Sequence, residues 1–118
     1  KAPDISIHEA TEEGNIEAVK QYLAAGTDVN AKDRYGQTPL HRSAMGLSAI
    51  GPAQGSRRTK RKEVAELLLA KGADVNARDA FGKTPLDYYI YRWSRNEIND
   101  LLRKHGGKTG EELKAEGK

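Results

Sequence analysis

The phrase GTDVNAKDRYGQTPLH, Gly26 to His41, returns as GADVNARDAFGKTPLD, Gly72 to Asp87, 46 residues later. A shorter step lies beneath it. ISIHEATEEGNIEAV, Ile5 to Val19, aligns with TPLHRSAM so that His8 matches His41 and Ala10 matches Ser43, 33 residues apart. The underlying unit is therefore about 33 residues long, and the middle unit carries 13 extra. A period of this size points to stacked supersecondary units, each unable to bury its apolar face alone. Composition agrees: 36% apolar and 6% aromatic residues supply too little for one deep core. The 31% charged residues are of mixed sign, which is not the balance of a disordered chain.

Within a unit, each shared residue has a physical task. Thr38 and Thr84 stand where a hydroxyl can cap the first free amides of a helix, and Pro39 and Pro85 follow at the first helical position. Leu40 and Leu86 begin a buried stripe, while Ala10, Ser43 and Ala44 are small enough to let a neighbouring helix approach. Second helices are expected over 15–26, 62–72 and 96–107, with apolar residues such as Val64, Leu67 and Leu68 at helical spacing. Gly26, Gly72 and Gly106 fall where left-handed C-caps would end them. DVNAKDRYG and DVNARDAFG then supply turn chemistry through Asp, Asn and Gly. Each unit reads as helix, turn, helix and hairpin-like loop.

On these residues the sequence resembles the ankyrin repeat proteins, whose units run to about 33 residues around a Thr-Pro-Leu-His motif. The match is TPLH at 38–41, TPLD at 84–87 and G(T/A)DVNA(K/R)D at 26–33 and 72–79, within residues 4–107. The Asp-Val-Asn-Ala phrasing is similar to that of bacterial members. The resemblance implies an all-α solenoid over 1–107, with repeats of about 5–37, 38–83 and 84–107, an insertion at about 47–61, and a tail at 108–118 that is a short helix or disordered. The first unit has ISIH instead of TPLH, so Asp4 or Ser6 must cap its helix. The third has Asp87 in place of His, and Tyr89 and Ile90 where small residues stand elsewhere, which an open end would accommodate.

The chemistry expected of this chain is not catalytic. His8 and His41 share one repeat position, where the family's histidine braces the turn near the Thr cap, and neither has a second ligand at helical spacing. HEATE at 8–12 lacks the second His of a metalloprotease helix, and GGKTG at 106–110 lacks the first Gly of a phosphate loop. TGEEL at 109–113 reads as a capping box opening a tail helix. No cofactor or metal is expected. The sequence has no cysteine and no apolar run long enough to span a membrane, which leaves cytoplasm and export both open. Lys1 in place of Met reads as a trimmed or processed chain.

The resemblance instead implies a monomeric module that binds a protein partner along its concave face and loop tips. Carried onto this chain, the tips are Arg34, Tyr35 and Gln37, then Ala80, Phe81 and Lys83. The first-helix positions are Arg42 and Met45, then Tyr88, Tyr91 and Arg92. Aromatics and arginines are the residue types that dominate binding energy at interfaces. Tyr88, Tyr89, Tyr91 and Trp93 have a second reading, as a plug on the open end of the stack.

The insertion carries its own chemistry. Leu40, Ala44, Leu47 and Ile50 keep helical spacing until Gly51 and Pro52 stop the helix, and a flexible AQGS follows. Arg57, Arg58, Lys60, Arg61 and Lys62 then run into the first turn of the second helix. Positive charge there opposes the helix dipole by roughly 0.3–1 kcal/mol per exposed group, so helix stability does not explain the cluster. Residues 38–83 carry a net charge of +5, against −3 for 1–37 and +1 for 84–118. The cluster reads either as a solubilising loop or as a patch for nucleic acid or another polyanion, on the end of the stack away from the hairpin tips.

Overall fold

Capping residues set the helices where the repeat places them. In the computed structural model, residues 6–44, 54–93 and 97–117 are described, the side chains of 54–61, 92–93 and 97 excepted. Ser6, not Asp4, caps α1 (Ile7–Glu12), its hydroxyl accepting from the Glu9 N–H at 3.1 Å. Asn15 caps α2 (Ile16–Ala24), and Thr38 caps α3 (Pro39–Ser43) with Pro39 in the first turn. The chain continues through α4 (Gln54–Ala70), α5 (Pro85–Trp93), α6 (Glu97–Lys104) and α7 (Gly110–Ala115). No strand occurs among the described residues. Gly26, Gly72 and Gly106 end α2, α4 and α6 with φ of +91°, +95° and +86°, a conformation that costs glycine nothing.

The helices stack in two rows. α1 rests on α3 and α3 on α5, while α2 rests on α4 and α4 on α6. Between the rows lies one continuous core of Ala10, Val19, Leu40, Val64, Leu68, Leu86, Tyr89, Ile98 and Leu102. Burying each large aliphatic side chain contributes about 1.5–3 kcal/mol, and this core runs through all three units. Two hairpin-like fingers, residues 26–37 and 72–83, project from the ends of α2 and α4. Each is closed by a backbone pair, Asp33 N–H to Gln37 O at 3.0 Å and Asp79 N–H to Lys83 O at 2.9 Å.

Two expectations need correction. Residues 54–61 are not a flexible loop: they form the first turns of α4, so the basic cluster lies along a helix that begins eight residues earlier than the apolar pattern suggests. Gln, Arg and Lys, five of these eight residues, are adequate helix formers, and a helix without a buried face shows no apolar period. The expected prolongation of the first helix through Leu47 and Ile50 lies outside the described residues. Tyr89, second, does not occupy open space at the end of the stack. It is fully buried, and its hydroxyl sits 2.6 Å from Ser43 Oγ in the preceding unit. The small Ser43 leaves the room that Tyr89 fills.

The tail is a further first helix without a finger before it. Thr109 caps α7 in a capping box with Glu112, and Leu113 is buried. The underlying unit is 33 residues, yet from Thr84 to Thr109 is only 25. The missing length is the finger, so Lys108 stands both where Asp74 follows a C-cap and where Lys83 precedes a cap. A Cβ on Gly110, which replaces the proline of the motif, would lie 2.4 Å from the Gly82 carbonyl oxygen. Gly→Ala in a helix ordinarily stabilises by about 1 kcal/mol. Here Gly110→Ala is expected to destabilise by about 1–3 kcal/mol, measured by urea unfolding against an exposed control, Lys114→Ala. A stabilised G110A variant would contradict the packing of α7.

Candidate functional site

The candidate site is the corner between the fingers and the first helices, and it is built twice at the same repeat positions. Asp33 and Asp79 begin the two tips. Asp33 Oδ1 accepts the Tyr35 and Gln37 N–H groups at 2.9 and 3.0 Å. Asp79 Oδ1 accepts those of Phe81 and Lys83 at 2.8 and 3.0 Å. The second oxygen of each reaches the helix nine residues on. Arg42 Nη1 donates to Asp33 Oδ2 at 2.8 Å, and Tyr88, the residue equivalent to Arg42, donates its hydroxyl to Asp79 Oδ2. Each carboxylate therefore fixes the tip turn with one oxygen and ties it to a helix with the other.

These ties shift the titrations in a consistent direction. Burial pushes both carboxyls up, but the donors outweigh it. The tip N–H groups and Arg42 hold Asp33 below the usual carboxylate range, and Tyr88, Gln37 and the tip N–H groups do the same for Asp79. Tyr88, half-buried and hydrogen-bonded to a carboxylate, is pushed up to about 12. Arg42 also donates to Glu12 on α1, from Nη2 to Oε1 at 3.1 Å. Burial opposes its charge, yet Glu12 and Asp33 raise its pKa. One guanidinium thereby joins the first unit's helix, the first finger and the second unit's helix.

Behind this corner, one donor per unit grips the residue just before the next unit's cap. His8 Nε2–H lies 2.9 Å from the Ala31 carbonyl and 3.0 Å from that of Gln37. His41 Nε2–H donates to the Lys83 carbonyl at 2.9 Å, while Nδ1 accepts the Thr38 N–H at 3.1 Å. Asp87 stands in the third unit, and an ionised carboxylate has no proton to donate. There the Thr84 hydroxyl reaches the Lys108 carbonyl at 2.6 Å, and Asp87 Oδ2 accepts the Gly110 N–H at 2.8 Å. Asn30 and Asn76 add a second staple. Asn30 pairs with the Gly72 carbonyl and the Asp74 N–H, at 3.2 and 2.7 Å. Asn76 pairs with the Gly106 carbonyl and the Lys108 N–H, at 3.1 and 2.8 Å.

A model of ankyrin repeats in three copies matches residues 7–112 of this sequence. The chain is an ankyrin repeat protein. A comparison with curated proteins gives no match. Ankyrin repeats are generally protein–protein interaction modules and typically non-catalytic. Among the described residues of this ankyrin stack, no helix is long and apolar enough to cross a membrane and no cluster of three or more His, Cys, Asp or Glu is placed to hold a metal.

The residues expected to meet a partner divide into two sets. Tyr35 is 48%, Phe81 67% and Tyr91 88% exposed, and Arg34, Ala80 and Lys83 are exposed with them. Gln37 is not a tip contact: only 6% exposed, it donates from Nε2 to Asp79 Oδ2 at 3.1 Å and joins the two fingers. Arg42 and Tyr88 are half-buried and engaged as described. Met45, and the side chains of Arg92, Arg57, Arg58, Lys60 and Arg61, lie outside the described residues, while Lys62 is half-buried. Sequence reasoning took Asn30 and Asn76 for turn formers alone. Asp28 and Asp74 already hold those turns by accepting the Asn30 and Asn76 N–H groups, so a second conserved-phase polar residue in each copy was the available signal for a contact between units.

The titrations give a pH profile. Burial lowers the pKa of His41, so the folded state binds fewer protons than the unfolded chain and stability falls as pH drops below about 6.5. Asp33 and Asp79, also depressed, contribute stability that is present above about 3.9 and lost as pH falls further. His41→Gln is expected to flatten the stability–pH curve between pH 6.5 and 5. Tyr88→Phe should cost about 1 kcal/mol at pH 7 and make the limb below pH 4 shallower. Urea midpoints across pH 3–8 check both, and unchanged slopes in either variant would refute the corresponding assignment.

Proposed function

We propose that this ankyrin stack is a non-catalytic binding module that takes a protein segment along its fingertips and the exposed side of its first helices. The observation that carries this reading is the pair Tyr35 and Phe81, equivalent residues of adjacent fingers, both exposed and both mounted on fixed backbone. The Ala80 N–H donates to the Tyr35 carbonyl at 2.9 Å, and a Cβ on Gly36 would sit 3.0 Å from that same nitrogen, so the two tips abut. Large apolar surface held without freedom loses little entropy on docking. Tyr91 extends the surface one helical turn from Tyr88. Asp33, Asp79, His41, Arg42 and Tyr88, the groups whose titration is shifted at this corner, are each engaged in holding the scaffold.

A polyanion or nucleic acid on the basic turns of α4 is the second reading. Five cations between Arg57 and Lys62 support it, and the lack of any aromatic residue among them, which base stacking would use, ranks it lower. Selection of binders from an unbiased peptide display library tests the first reading. Binders are expected to lose more than about tenfold in affinity on Tyr35→Ala with Phe81→Ala, with the urea midpoint unchanged. Binders indifferent to both substitutions would overturn it.

A further inference from the structure

The chemistry of the fingertips goes further than their exposure, and it concerns which partner they fit. Resting on the binding reading above, we infer that the tips recognise an acidic protein segment carrying aromatic side chains. Each tip turn contains one carboxylate, and both are turned inward, while Asp28 and Asp74 are exposed at the bases of the fingers. Asp33 is 17% exposed at its side chain and paired with Arg42, and Asp79 is 7% exposed overall and meets Tyr88 and Gln37. Every oxygen of the two is occupied by a donor, so neither is offered to a partner.

The cations face the other way. Lys32, Arg34 and Lys83 are exposed, and none has a carboxylate partner among the described residues. Elsewhere Arg42 is matched with Glu12 and Asp33, Arg103 with Glu112 and Lys108 with Glu116, while the exposed Lys20, Lys71, Lys104 and Lys114 stand outside these pairs; what sets the tip cations apart is the exposed Tyr35 and Phe81 beside them. The Arg34 guanidinium lies 5.6 Å from the centre of the Tyr35 ring, which holds a cation beside the apolar platform while leaving its edge N–H groups for a carboxylate. The surface therefore alternates fixed aromatic area with uncompensated positive charge. A segment with Asp or Glu flanking an aromatic residue satisfies both, whereas a basic segment meets repulsion.

Nucleic acid is the competing polyanion, and the test separates it by where binding is lost. The full chain is titrated, by fluorescence anisotropy, against a labelled random copolymer of glutamate and tyrosine. Poly-glutamate, a lysine–tyrosine copolymer and oligo-dT serve as comparisons. The glutamate–tyrosine copolymer is expected to bind most tightly and to weaken as salt rises, since exposed charges are screened within about 10 Å at 0.1 M. Lys32→Gln, Arg34→Gln and Lys83→Gln together are expected to reduce its affinity by about tenfold, the sum of three modest exposed contacts. Replacing Arg57, Arg58, Lys60, Arg61 and Lys62 by Gln should leave it within about twofold. Loss that follows the α4 substitutions instead, or tighter binding of oligo-dT, overturns the inference. The display selection separates its failure from that of the binding reading. Selected peptides that need Tyr35 and Phe81 but are not enriched in Asp and Glu would keep the module and refute the acidic partner.

Discussion

A donor on each first helix reaches the carbonyl just before the next unit's cap, and the order of the stack depends on that reach. His8 holds Gln37, His41 holds Lys83 and Thr84 holds Lys108, each the residue preceding Thr38, Thr84 or Thr109. A buried carbonyl left without a donor costs roughly 1–3 kcal/mol. Three such bonds therefore matter less for their net energy than for register. They fix the rotation of one unit on the next, and the apolar core then closes around a single arrangement. The asparagine staples repeat the logic at the other end of each finger.

This register is what gives the fingers a defined shape. A finger of about a dozen residues has no core of its own, and loops of that kind are usually mobile. Here both arms are anchored: Asp33 and Asp79 brace the tips from inside, Gln37 ties one finger to the other, and His8 and His41 pin the returning strands of chain. The exposed aromatics are thus displayed by a polar framework, and that framework uses the very carboxylates that would otherwise repel an acidic partner.

Much of the architecture was legible because a repeat compares the chain with itself. Thr38, Pro39, Leu40 and the C-cap glycines could be read from local physics, and the 33-residue step turned three local patterns into a stack. Three features escaped. The N-terminal turns of α4 bear no apolar period, since nothing covers them in the pattern, and so a helix was read as a loop. Gln37 was assigned to the surface because the family's loop tips fall at its position; only the fold brings it against Asp79 and Tyr88, residues 42 and 51 positions away. The tail hid a further unit because the finger that would have announced it is missing, and the surviving Thr109 cap stands at a shortened step. Position along the sequence placed these residues on the fingers and first helices, while which of them are engaged within the fold followed only once their partners were in place.

The central claim is that these units have no stability apart from their neighbours. The most direct measurement is the unfolding of a chain ending at Lys83, which keeps the first two units whole and strips α5 from α3 and α6 from α4. The account predicts that this chain shows no cooperative urea transition by circular dichroism, or one lowered by several kcal/mol, about the burial lost from a few core side chains. A two-unit chain unfolding with the midpoint and slope of the full protein would contradict it.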